Sequence, residues 1–169
     1  GVNPFFEEMR RMYPSAEGRF LNQVDVVDQR RVLFLGPEIA AEIFKDENPV
    51  GRTISVDNTP YTVLGVMQKK LQTSMSNGPD ARRAVMPYTT FRTTYGNIYV
   101  NTLLIRPTDP SQQERVKSEI FRVLGRKYKF DPTDERAIGI WDFIEAEKIS
   151  RKIGLGVSIF LFSIGFLTL

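Results

Sequence analysis

The last 17 residues, Ile153 to Leu169, carry no charged side chain. No other stretch limits the fold as strongly. A bilayer span needs roughly 20 apolar residues, with a floor of about 17, so the run predicts a membrane helix. A buried core helix is the alternative. The polar members of the run are few and small. Gly154 and Ser158 are four apart and Gly165 lies seven further on, so the three share one helical face. Such small-residue faces let membrane helices pack closely, although membrane helices are in any case rich in glycine. Upstream, Asp142 and Glu145 form an N-cap and N3 pair that predicts the start of this helix. Lys148, Arg151 and Lys152 lie just before the run. On charge alone they would put that side in the cytoplasm, but the rule weakens for long translocated domains. A chain that opens on Gly1 and closes inside an apolar run is expected to be a segment of a longer protein.

The rest of the sequence has an ordinary globular balance. Apolar residues make up 41% of it, enough for a core, and the net charge of +3 is small. Basic pairs are spread along the chain rather than gathered beside stacking aromatics, which argues against a nucleic-acid face. There is no cysteine and no histidine. Thiolate nucleophiles, thiolate metal sites and imidazole acid–base chemistry are therefore excluded. Asp25 and Asp28 are the nearest thing to a carboxylate pair. They sit beside a predicted turn without a partner base and read as solvated loop residues. Glu145 and Glu147, two apart on a helix, point in different directions. No Walker A glycine loop is present.

Short strands alternate with a few helices, which predicts an α+β or mixed α/β domain. Asn3 and Pro4 open a first helix that Pro14 stops, and "EGRFLN" reads as a turn and strand. Residues 30–36 form an apolar strand, and Gly36-Pro37 starts a second helix. "QKKLQTSMSNGPD", residues 68–80, reads as an exposed loop. "ARRAVMPY" is a further short strand. Helical turns follow and end at Gly96. Residues 97–107 form a strand rich in β-formers. A helix from Asp109-Pro110 carries Val116, Ile120, Val123 and Leu124 as its apolar stripe and Gly125 as its cap. "RAIGIW" is the last strand.

The most patterned stretch is "NPVGRTISVDNTPYTVLGVMQ", residues 48–68. It predicts an antiparallel hairpin turning at Asp57–Pro60, with Val56 and Tyr61 flanking the turn. Gly65 inside its second strand predicts a bulge or a close packing contact. The order "EGRF", "VLFLGPEIAAEIF", this hairpin and "VMPYTTF" closely resembles the periplasmic core domain of MacB-type ABC transporter permeases. That superfamily includes the lipoprotein-release permeases and the cell-division permease FtsX. Gly18, Arg19, Gly36, Pro49, Gly51, Gly65 and Pro87 are the structural residues that carry the match, with Phe20, Leu35, Phe44, Val50, Ile54, Val63 and Val66 beside them.

The resemblance implies a two-lobed extracytoplasmic domain, a strand–helix lobe with an inserted β-rich lobe, leading into a transmembrane helix. Residues 18–90 would supply the β-rich lobe, and 1–17 and 91–141 the strand–helix lobe. Residues 1–147 would be the domain, and 148–169 the stalk and the start of the span. It further implies no catalytic site, metal or cofactor in this segment, with ATP bound on a separate nucleotide-binding domain or subunit. The implied setting is the bacterial inner membrane, with the soluble part in the periplasm or outside the cell. Implied partners are the membrane, the cytoplasmic ATPase, a second permease as homo- or heterodimer, and a periplasmic protein. The role would be to couple ATP-driven membrane rearrangement to export or to mechanotransmission in the periplasm. The alternative within the superfamily is an interaction module that regulates a cell-wall hydrolase.

Overall fold

The computed structural model describes residues 1–71, 78–96, 99–100 and 102–167, with backbone alone at 143–144, 146–148 and 167. It divides into two units, Gly1–Leu103 and Leu104–Leu169. In the first, α1 (Phe6–Arg10) and β1 (Pro14–Gly18) lead to α2 (Gln23–Val27). Next come β2 (Val32–Leu35), α3 (Pro37–Phe44), β3 (Thr53–Val56) and β4 (Thr59–Met67). A 3₁₀ turn (Asp80–Arg82), β5 (Ala84–Val85) and α4 (Tyr88–Tyr95) complete the unit. The fold class is α+β, as the sequence predicts.

The five strands make one mixed sheet in the order β1-β4-β2-β5, and β3 also pairs with β4. β2 runs parallel to β4, while β1 and β3 run antiparallel to it. All four residues of β2 are buried, because the strand is covered on both faces. Its side chains alternate between those faces. Val32 and Phe34 join Met12, Phe20, Leu21, Met67 and Val85. Leu33 and Leu35 join Ala40 of α3, Tyr61, Val63 and Met86. Phe20 meets Phe34 edge to face, with ring centroids 4.7 Å apart. Burying each such large side chain contributes about 1.5–3 kcal/mol.

The predicted hairpin is present. Its turn is the pair Asp57 and Asn58, with φ of 48° and 61°. Two successive left-handed residues match the twist of a hairpin, and Asp and Asn are among the side-chain-bearing residues that tolerate that region best. The register differs from the sequence expectation. Tyr61 pairs with Ile54, and Val56 pairs with Thr59, because the turn closes on two residues and Pro60 already lies in β4. Gly65 does mark a close approach. It pairs with Gly18, and a Cβ at Gly65 would lie 2.9 Å from the Arg19 carbonyl oxygen. Gly18 has φ of 103° and would meet the Leu64 carbonyl oxygen at 2.5 Å. The register of β4 slips here against both β1 and β2.

Several expectations are corrected. Asn3 accepts the Phe5 backbone N–H at 3.2 Å, so it closes a local turn and α1 begins only at Phe6. Residues 1–17, expected in the strand–helix lobe, belong to the sheet unit: β1 pairs with β4, and the Val2 N–H donates to the Met86 carbonyl at 2.8 Å. Of the strand expected at 97–107, residues 97, 98 and 101 lie outside the described residues. The remainder has no strand structure. Tyr99, Val100 and Leu103 are exposed there, and β-formers make a strand only against a pairing edge. Of the loop expected at 68–80, residues 72–77 lie outside the described residues.

In the second unit a 3₁₀ turn (Pro110–Gln112), capped by Asp109, runs into α5 (Gln113–Tyr128), and α6 spans Phe143–Leu167. Gly125 is not the cap of α5. The helix passes through it to the left-handed Lys129, and the glycine is needed because a Cβ would lie 2.9 Å from the Phe130 carbonyl oxygen. The buried positions of α5 are Phe121 and Gly125, whereas Val123 of the expected stripe is exposed. The strand expected at 136–141 is turn and coil with Trp141 exposed.

Candidate functional site

Two buried carboxylates brace the sheet unit. Asp25 is 0% exposed, which corrects its reading as a solvated loop residue. Arg19 forks onto it, Nη1 to Oδ2 at 2.6 Å and Nη2 to Oδ1 at 3.0 Å, and also reaches the Phe20 carbonyl at 2.9 Å. Asn22 and Asp25 form a reciprocal capping box: the Asn22 N–H donates to Asp25 Oδ2 at 2.9 Å and the Asp25 N–H to Asn22 Oδ1 at 3.0 Å. That box starts α2. The spacing Asn22-x-x-Asp25 was its available signal, hidden by a helix of only five residues. Asp28 stays half-exposed, as expected, 3.1 Å from Arg30.

Asp80, 1% exposed, gathers cations from three parts of the chain. Arg10 at the end of α1 lies at 2.8 Å, Lys70 beyond β4 at 2.8 Å and Arg83 at 3.6 Å. The sequence reading missed this cluster, because Arg10 lies 70 positions from the aspartate it pairs with. Burial pushes both carboxyls up, but the hydrogen bonds outweigh it: from Arg19 and Asn22 at Asp25, and from Arg10 and Lys70 at Asp80. Both therefore sit below the usual aspartate value of 3.8. Carboxylates held ionised by cations suit bracing and not proton transfer.

The sign for stability follows. A depressed carboxylate stabilises the fold at pH above its ordinary value, and the contribution is lost as pH falls through the lowered folded value. Stability should therefore drop below pH 3.8, by up to about 1.4 kcal/mol per pH unit for each proton taken up. Urea midpoints measured from about pH 6 down to about pH 2, across the linkage window, check this. Asp80→Asn should flatten the slope, and an unchanged slope would remove Asp80 from the account.

The other motif residues are structural. Gly36 donates to the Arg83 carbonyl at 2.6 Å, and a Cβ there would lie 2.3 Å from the Ala81 carbonyl oxygen. Pro49 and Gly51 shape the turn before β3: the Arg52 N–H donates to the Pro49 carbonyl at 3.1 Å, and the Gly51 N–H to Val63 at 2.8 Å. Pro87 is fully buried at the start of α4 and bridges to Val2. Among the described residues no group of three or more acidic side chains is placed to hold a metal ion.

The helix α6 begins where the Glu145 N–H donates to Asp142 Oδ1 at 3.1 Å. The Gln113 side-chain amide donates to the other Asp142 oxygen. From Ile149 to Phe166 the helix is long and apolar enough to cross a membrane, with mean hydropathy 1.5 and none of the window buried. Among the described residues it is not packed as a core helix within its own unit. Ser158 Oγ donates to the Gly154 carbonyl at 2.9 Å, and both stand on the same helical face as Gly165. A Cβ at Gly154, Gly156 or Gly165 would meet nothing within 4 Å.

Comparison with known proteins gives one family match: the family described as MacB-like periplasmic core domain matches residues 1–123. The macrolide export ATP-binding/permease protein MacB of Bdellovibrio bacteriovorus is 24% identical over 172 residues, covering 100% of this chain and 26% of that protein. The pyoverdine export ATP-binding/permease protein PvdT of Pseudomonas fluorescens is 28% identical over 132 residues, covering 75% and 20%. This chain thus spans about a quarter of the length of the curated relatives it matches. Among solved structures, the extracellular domain of the transporter YknZ from Gram-positive bacteria superposes with a TM-score of 0.66 at 17% identity, covering 78% of this chain and 65% of that one. The periplasmic region of MacB from Actinobacillus actinomycetemcomitans gives 0.57 at 20% identity, covering 73% and 55%. These likenesses show the fold.

Proposed function

The chain belongs to the family of MacB-like periplasmic core domains, and from that premise we propose that it is the extracytoplasmic part of an ABC transporter permease with its stalk and the start of a membrane span. The observation that carries the proposal is the succession of a family domain over residues 1–123 and an unburied apolar helix from Ile149 to Phe166. ATP would bind a separate nucleotide-binding domain or subunit in the cytoplasm, and this segment would hold no cofactor and perform no catalysis. Permeases of this kind would pair through faces such as Gly154, Ser158 and Gly165, where small side chains permit close contact.

The role we assign is mechanical. The stretch from Phe143 to the apolar window is one unbroken helix, and a helix rises about 1.5 Å per residue. Rearrangement in the membrane would reach the domain above it through this lever. The braces at Asp25 and Asp80 would let the sheet unit take that load as a stiff body.

This chain contributes no cysteine, so a single cysteine placed in it can report sidedness once any cysteines elsewhere in the permease have been replaced. Glu38, exposed in the first turn of α3, is replaced by Cys in the full permease. A membrane-impermeant maleimide should label Glu38→Cys from the periplasmic or outer side of intact cells. Labelling only after lysis would mean that Lys148, Arg151 and Lys152 had marked the cytoplasmic side correctly.

A further inference from the structure

A cavity of about 320 Å³ lies in the second unit, where the start of α5 meets the first turns of α6. Its size is at the lower end of small-molecule sites, which run from about 300 to 1,000 Å³. Ser111, Gln113 and Glu114 line one side, and Glu145, Ile149 and Lys152 the other. The last three are four and three residues apart, so they share a helical face. Ile149 is the first residue of the apolar window. If α6 spans the membrane, the cavity would open near the depth where hydrocarbon gives way to headgroups, with Lys152 able to reach that boundary along its alkyl stem.

The lining has unused chemistry. Among the described residues, the side chains of Glu114, Glu145 and Lys152 have no ion pair or hydrogen bond. Gln113 adds a sharper constraint. Its amide nitrogen faces the Asp142 carboxylate, and only that orientation is compatible with an acceptor-only partner. The amide oxygen is thereby fixed. It is buried and has no hydrogen-bond partner, the kind of group that needs a donor. The lining thus offers one cation and two carboxylates, and Gln113 beside them carries a shielded acceptor that calls for an N–H.

We propose that this cavity binds the headgroup of a zwitterionic aminophospholipid, with its phosphate at Lys152 and its primary ammonium between Glu114, Glu145 and the Gln113 amide oxygen. The proposal rests on the reading of α6 as a membrane span. A choline headgroup has no N–H to offer the amide oxygen. An anionic glycerol headgroup has no cation for the two carboxylates. A free aminophosphate shares the chemistry, and the test separates the two sources.

The test is a titration of the full chain in detergent micelles, read by native mass spectrometry, with short-chain phosphatidylethanolamine, phosphatidylcholine and phosphatidylglycerol. Phosphatidylethanolamine should bind about tenfold more tightly than the other two, the ratio expected for one charge-assisted hydrogen bond. The double variant Glu114→Gln, Glu145→Gln should erase that preference. Lys152→Gln should weaken all three lipids. These side chains are exposed, so circular dichroism should show the fold intact in each variant. Equal binding of the ethanolamine and choline lipids, or a preference that survives the double variant, would overturn the proposal. Displacement of the lipid by equimolar O-phosphoethanolamine would overturn the lipid source and assign a soluble aminophosphate. Flotation with vesicles of any composition reports on the membrane span alone, so a failure of headgroup selectivity and a failure of the span read differently.

Discussion

Arg19→Ala is expected to destabilise the sheet unit by about 3–5 kcal/mol, the cost of stranding one partner of a buried pair. The pair is asymmetric. Asp25 is fully buried, whereas the Arg19 side chain is 41% exposed. Removing the arginine leaves a buried carboxylate with Arg30 at 3.8 Å as its nearest remaining cation. Removing the aspartate instead leaves a guanidinium that water can reach, so Asp25→Ala should cost less, about 2–3 kcal/mol with the lost helix cap included. Arg19→Lys should rescue little, because an ammonium cannot reproduce the two-pronged contact. Asp28→Asn is the control. Asp28 is half-exposed, and its loss should stay within about 0.5 kcal/mol. Urea denaturation of the full chain in detergent, followed by circular dichroism, measures all four. Equal costs for Arg19→Ala and Asp28→Asn would show that the Arg19–Asp25 contact does not brace the fold.

The elements legible in the sequence were those set by local chemistry. The 48–68 hairpin follows from turn residues and alternation, and α3 follows from Gly36-Pro37 ahead of an apolar face. The start of α6 follows from Asp142 and Glu145. What could not be read was decided by partners distant in sequence. Residues 99–107 have the composition of a strand, yet the described part joins no sheet and stays coil. Gly125 looks like a cap, but the approach of Phe130 and Pro132 to the helix is what demands a glycine.

The braces show the same limit more sharply. Arg19 was legible as a motif residue, but its role was not. An arginine next to a turn and an aspartate six positions on give no local sign that the carboxylate is buried. The Asp80 cluster draws on residues 10, 70, 80 and 83, and no periodicity joins those positions. By contrast, the face of Gly154, Ser158 and Gly165 could be read at once, because a helix repeats every 3.6 residues wherever it lies.

The second large effect concerns α6. Ala146→Pro places a proline inside the helix just above the apolar window. Proline removes a backbone donor and clashes with the preceding turn, at a cost of about 3 kcal/mol or a kink. The sheet unit lies in a different part of the chain and should fold unchanged. If motion passes along α6, a hinge at this point should disconnect the two ends of the machine. The decisive measurement compares the full permease and its Ala146→Pro variant, reconstituted with the ATPase, for nucleotide hydrolysis and for export in the same vesicles. The account predicts that hydrolysis persists while export is lost. Export equal to that of the unmodified permease, at equal hydrolysis, would show that force does not travel along this helix.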